Sequence, residues 1–313
     1  MLTRKIIVPA LLLFLPAFAF AAQAERGVTV RAAVVYLAPD VASDKLITAE
    51  RGREVAILER TKGWLHVLAT VSQKFGNDRD ISGWIQDKGV ITAATPNGDQ
   101  ILYGEAVDSE SEASRRGGRK GAAGDARRLY ARVAEYFPQS PLAGEALYRA
   151  ADIQWQMDKD DIEGRKRRPT SDPNSRPKIE EEAMKQVMKK FPRTKWADLA
   201  AFHLLDNKLC LEWQAQSKCP EKEAEVFEDY AREHPNSPAA AEAWYNAASR
   251  YGALIEIYKV EGQQKKSPQA AQRAVAAAQQ AMARNSSPDW NARAQRLIYM
   301  VQNNIPVFGN AAD

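Results

Sequence analysis

The sequence predicts two architectures joined end to end, a small all-β barrel followed by an all-α helical-repeat solenoid. Three observations predict it. Residues 27–95 alternate β-branched and polar residues in short runs such as "GVTVR", "REVAILER", "GWLHVLATV" and "SGWIQDKGVI", the period of half-buried strands. From Asp125 onward, alanine, glutamate, arginine and leucine recur at helical spacing. A corner also repeats: "YFPQSPLAGEALY" at 136–148 returns as "EHPNSPAAAEAWY" at 233–245.

The first 24 residues stand apart from both. Arg4 and Lys5 precede an apolar run over 6–22, and Ala22-Gln23-Ala24 offers a small-x-small cleavage site. That layout predicts a signal peptide over 1–24, with an uncleaved anchor as the alternative. Cleavage after Ala24 would remove Arg4 and Lys5 and lower the formal net charge from +4 to +2. A nearly neutral mature chain gives no electrostatic case for nucleic-acid binding. No second run reaches spanning length, so the mature chain is expected not to be an integral membrane protein. The expected location is the bacterial periplasm or the exterior.

The strands of 27–95 are too few for a sandwich, and a small closed or partly closed barrel is the economical way to limit exposed edges. "VVYLAPD", then "RGREVAILERTKGWLHV", then "GWIQDKGVI" resembles a bacterial SH3-like domain. The connection "LATVSQKFGNDRDIS" is longer than that family's usual one. The resemblance implies a module that binds peptidoglycan, peptides or a neighbouring domain. Tyr36, Trp64 and Trp84 are the candidate groove residues; the alternative is that both tryptophans are half-buried structural side chains. The Ala-Leu-Tyr-Asp-Tyr type stretch of proline-peptide grooves is absent, so that activity is not implied.

Residues 96–124 contain "TPNGD" and "DSESEASRRGGRKGAAG", a composition that predicts a flexible linker. The basic stretch "RRGGRKG" is the functional alternative, offset by three acidic residues just before it.

Helical repeats are expected over 125–308. "DARRLYARVAEYF" places Leu129, Val133 and Phe137 on one stripe. Pro138 then stops the helix, Ser140 caps the next one and Pro141 suits its first position. The corner recurs at Pro192-Arg-Thr194-Lys195, Pro235-Asn-Ser237-Pro238 and, worn, Asn285-Ser-Ser287-Pro288. Aligned on it, Ala143, Ala197 and Ala240 share a column. Tyr148, Phe202 and Tyr245 share the packing column expected between helix pairs, and Ala150, Leu204 and Ala247 share a third. In the last unit Trp290 replaces the alanine. "FPQSPLAGEALYRAA" resembles the tetratricopeptide-like repeats of bacterial envelope proteins. The corners lie 54, 43 and 50 residues apart, against about 34 for the standard unit, so the expected solenoid is irregular.

Cys210 and Cys219 are the only cysteines. In an exported chain they are expected to pair, with Cys210 in a helix's last turn and Cys219 beside the next helix's first residue; two separate buried thiols are the alternative. Each of the histidines His66, His203 and His234 has a plain structural place. The carboxylates of "IEEEAMK" and "EKEAEVFED" read as solvated faces. The sequence contains none of the Gly-x-Ser-x-Gly, Walker, dinucleotide or His-Glu-x-x-His patterns. The cysteine contexts also differ from the Asp-Cys-Ser motif of the wall peptidases that often carry such barrels. No enzyme activity, metal or cofactor is expected. The basic loop over 164–178 reads as a disordered insertion, or else as contact for an acidic partner. The functional expectation is a non-catalytic periplasmic adaptor that binds envelope proteins or peptides through its repeats, with the SH3-like barrel as a second binding module. The alternative is a peptidoglycan-binding barrel on a helical spacer.

Overall fold

A computed structural model describes residues 25–72, 78–164, 178–210, 213, 215–284 and 288–307. Residues 1–24, where the sequence predicts a signal peptide, the 165–177 part of the basic loop, and 285–287 of the fourth corner lie outside the described residues. No described helix is long and apolar enough to cross a membrane.

Seven strands come first: β1 (Glu25–Thr29), β2 (Ala33–Tyr36), β3 (Lys45–Ala49), β4 (Glu54–Thr61), β5 (Trp64–Ser72), β6 (Asp78–Gln86) and β7 (Val90–Thr92). They form one antiparallel sheet in the order β3-β2-β6-β5-β4-β1-β7. The two outer strands, β3 and β7, do not pair, so the sheet is not closed. The closed or partly closed small barrel expected from the sequence is thus realised as an open antiparallel sheet. β7 is three residues long and packs on the first helix instead of on β3. Period-two alternation holds within the sheet. Val35, Val55, Leu65, Val67, Ala69 and Ile85 face one shared core.

Helices follow: α1 (Gly98–Ser114), α2 (Ala122–Tyr136), α3 (Ala143–Gly164), α4 (Glu182–Lys190), α5 (Lys195–His203), α6 (Lys218–Glu233), α7 (Ala240–Val260), α8 (Lys266–Ala283) and α9 (Pro288–Gln302). The 96–124 linker expected from composition is therefore wrong. Its glutamates and alanines are good helix formers. Leu102, Ala106 and Ser109 make a narrow buried stripe that bulk composition hides. Leu102 and Ala106 share one core with Val28, Val30 and Ile91 of the sheet and with Leu129 and Val133 of α2. Sheet and helices are joined through packed side chains.

Polar contacts close the same joint. Arg26 of β1 bonds Glu54 of β4 and Glu135 of α2. Arg132 and the Tyr136 hydroxyl also donate to Glu54, at 2.9 and 3.0 Å. Burial alone would raise the Glu54 carboxyl, but the Arg26 hydrogen bond and the Arg132 charge hold it below its ordinary value.

The repeated corner forms as the sequence dictates, three times among the described residues. Phe137, Phe191 and His234 close α2, α4 and α6 with nearly one backbone conformation, φ −128, −126 and −120° with ψ 59, 55 and 58°. Each donates its N–H four residues back, to Val133, Val187 and Tyr230. The following hydroxyls then accept from the next segment: Ser140 from Leu142 at 3.1 Å, Thr194 from Ala197 at 3.3 Å and Ser237 from Ala239 at 3.1 Å. Thr194 thereby caps the first turn of α5, whereas Leu142 and Ala239 precede α3 and α7, so Ser140 and Ser237 brace the turn itself and not the helix start. Pro141 falls two residues before α3 and not at its first position, because a tight turn from Ala143 N–H to Ser140 O intervenes. The column Ala143, Ala197 and Ala240 is buried, which lets neighbouring helices approach closely.

Candidate binding faces

The sheet gathers the predicted aromatic residues. On β5, Leu65, Val67 and Ala69 are buried, so Trp64 and His66 stand on the opposite face. Register places Trp84 of β6 between His66 and Tyr36 of β2. The Tyr36 and Trp64 rings meet edge to face at 5.5 Å, and His66 stacks on Trp84 at 4.9 Å. His66 Nε2 and the Ser82 hydroxyl share a 3.0 Å hydrogen bond. All four rings are half-buried. Gly83 makes the crossing possible: a Cβ there would lie 2.6 Å from Val35 Cγ1 and 2.7 Å from the Tyr36 carbonyl. Tyr36, Trp64 and Trp84 thus meet on one face, and His66 belongs with them. Sequence reasoning assigned His66 a structural place, although its two-residue spacing from Trp64 already put both on one side of the strand.

A second aromatic row runs along the helices that follow each corner. Tyr148 of α3 stacks on Trp196 of α5 at 5.6 Å, and Tyr245 of α7 meets Trp290 of α9 at 5.4 Å. The Tyr148 hydroxyl and His203 Nε2 are 3.1 Å apart, with Asp152 3.3 Å from the same nitrogen. Burial keeps His203 below the ordinary histidine value against the pull of Asp152 and Asp206. Glu242 of α7 is raised by burial and then by the Asp206 carboxylate, with Arg293 opposing. Phe202 does not join this row. It packs instead against Phe227 and Tyr230 of α6, at 6.3 and 5.1 Å. The expected packing column is therefore split: Tyr148, Phe202 and Tyr245 are all half-buried against core clusters, but Phe202 contacts the helices of the corner's other side. Trp196 and Trp290 were missed as partners, although each follows its corner within three residues.

The cysteines sit at disulfide distance, S–S 2.12 Å and Cα–Cα 6.0 Å. Cys210 is not in a helix, which differs from the sequence expectation: α5 ends at His203, and a short 3-10 turn at Asp206–Lys208 follows. Cys219 lies inside the first turn of α6. Glu223 fixes this loop. Its carboxylate is almost wholly buried and accepts from Cys210 N–H at 2.9 Å, the Trp213 indole at 3.2 Å and Arg250 Nε at 3.1 Å. The Arg250 guanidinium in turn covers the Phe227 ring at 4.9 Å. The reading of "EKEAEVFED" as a solvated face thus fails at Glu223, whose i+4 neighbour Phe227 marks the buried stripe of α6.

The third histidine, His234, stacks on Tyr230 at 4.7 Å and pairs with Asp198 at 2.8 Å, bracing the third corner. Among the described residues, no group of three or more histidine, cysteine or acidic side chains could hold a metal ion.

No known protein family matches the chain, and no curated protein does. Among solved structures it is similar to designed helical assemblies. The DHF119 filament is 17% identical over 66% of this chain and 92% of that one, with a TM-score of 0.24. The DHF58 filament is 18% identical over 66% and 91%, at 0.23, and the de novo designed helical repeat protein DHR64 is 18% identical over 66% and 94%, at 0.22. The chain is defined by its own geometry: an open antiparallel sheet continued without a break into repeated helix pairs.

Proposed function

We propose that this chain is a non-catalytic adaptor of the bacterial envelope that holds protein or peptide partners along its helical repeats. The observation that carries the reading is the pair of ring contacts Tyr148–Trp196 and Tyr245–Trp290, with Asp152, Asp206 and Glu242 beside them and Lys195 and Arg293 over the two indoles. Half-exposed aromatic rings supply contact area at low entropic cost, and carboxylates beside them orient a basic segment. The histidines are spent on stacking and bracing, which supports a binding role over catalysis. The export signal read at 1–24 and the cysteine pair fit an oxidising compartment.

A second reading rests on the sheet. Tyr36, Trp64, His66 and Trp84 form an aromatic face suited to the sugar rings of peptidoglycan, with the SH3-like resemblance in its favour. The helices would then act as a rigid spacer. Two variants separate the readings. Trp196→Ala should abolish capture of basic envelope peptides in pull-downs and leave co-sedimentation with purified peptidoglycan intact. Trp84→Ala should do the opposite if the sheet is the binder. Retention of peptide capture in both variants would refute the adaptor reading.

A further inference from the structure

The basic stretch "RRGGRKG" over 115–121 becomes the turn between α1 and α2, held between two packed helices. It borders a cleft of about 620 Å³ at the junction of sheet and helices. Cations from three separate parts of the chain line it: Arg51 after β3, Arg119 and Lys120 from the turn, and Arg128 from α2. Two carboxylates, Glu50 and Asp125, share the lining. Four positive and two negative side chains leave a net charge of +2.

The existing pairs engage three of those cations and leave the fourth, Lys120. Asp125 takes Arg119 at 2.6 Å and also bonds Arg128, which lies 3.3 Å from Glu50 as well. Arg51 donates to the Ser109 hydroxyl at 3.0 Å, with Glu105 at 3.7 Å. Lys120 has no ion-pair partner among the described residues. The turn also ends on Gly121 at φ +84°, a left-handed conformation that favours glycine. No side chain caps α2, and Ala123 and Gly124 of its first turn line the same cleft. Their N–H groups have no acceptor within the helix, and they add donors to a site already carrying excess positive charge. Ala32, Ala123 and Met157 form an apolar wall.

We infer that this cleft binds a phosphate-bearing ligand, with the phosphate held by Arg51, Arg119 and Lys120 and the remainder against the apolar wall. A dianion would neutralise the lining, and guanidinium groups match phosphate oxygens geometrically. The ligand could be a soluble phosphate ester or a lipid headgroup, and the experiment separates the two.

The test is calorimetric titration of the full mature chain with pyrophosphate, beside sedimentation with phosphatidylglycerol or phosphatidylcholine vesicles. Saturable binding of pyrophosphate at one site is expected, weakened about tenfold or more by Lys120→Gln or Arg119→Gln, since charged hydrogen bonds of this kind carry that much. Both side chains are exposed, so circular dichroism should confirm an unchanged fold. Val260→Ala on α7, exposed and outside the cleft lining, should leave affinity unchanged. Binding only to phosphatidylglycerol vesicles, lost in the same variants, would assign the phosphate to a lipid headgroup. Absence of binding in both arms, or binding indifferent to Arg119 and Lys120, would overturn the inference.

Discussion

Leu102→Ala tests the joint between sheet and helices directly. Leu102 is fully buried on α1, against Val28, Val30 and Ile91 of the sheet and Leu129 and Val133 of α2. The substitution removes three buried carbons, about 2.4 kcal/mol at roughly 0.8 kcal/mol each. The cavity left behind adds to this, because the site is enclosed by two rigid layers, giving about 3–5 kcal/mol in all. Ile101, next in sequence but 40% exposed, supplies the control, and Ile101→Ala should cost within about 0.5 kcal/mol. Urea unfolding followed by circular dichroism and tryptophan fluorescence measures both. Amide hydrogen exchange adds a local readout: protection should fall in β1, β7 and α1 together. A loss below about 0.5 kcal/mol for Leu102→Ala would mean α1 is a detached segment and that the sheet moves independently of the repeats.

The remaining predictions concern the polar joint, the aromatic column and the clamp. Glu54 is held below its ordinary value in the folded chain, so its contribution is present above the unfolded value of 4.5 and is lost as pH falls through the folded one. In thermal melts, Glu54→Gln should therefore be less stable than the parent at pH 7, and the gap should close on acidification; a gap constant with pH would refute the coupling. Tyr148→Ala, Phe202→Ala and Tyr245→Ala should each cost about 1.5–2.5 kcal/mol, roughly half the value for a fully buried ring, because all three are only half-buried. Denaturation midpoints unchanged in all three would remove the column from the packing. Replacing Cys210 and Cys219 together by serine should cost about 2–3 kcal/mol for so short a loop, and hydrogen exchange should rise at the start of α6 but not in the sheet. Faster exchange throughout the sheet would show that the clamp is not local.

Several parts of this molecule were legible in the sequence because local chemistry decides them. A proline that ends one helix and a hydroxyl in the following turn need only a few residues, so the corners at 138, 192 and 235 could be read, although the hydroxyl caps the next helix only at Thr194. The SH3-like resemblance named Tyr36, Trp64 and Trp84 as groove candidates, and the cross-strand register is what brings them onto one face. Proximity of Cys210 and Cys219 followed from their short separation.

What the sequence by itself determined, then, is the strand-to-helix order and the repeated corner, both set by interactions spanning a few residues. Tertiary structure alone decided the rest. Whether the sheet closes depended on pairing between β3 and β7, strands far apart in sequence that end at opposite edges, with β7 packed against α1. Whether 98–114 is linker or helix depended on a narrow stripe, Leu102, Ala106 and Ser109, finding a surface contributed from far away in the chain. Glu223 could be buried only because Arg250, 27 residues later, and the Cys210 and Trp213 donors converge on it. Burial of a charge is settled by partners distant in sequence, and no local pattern reports where those partners come to rest.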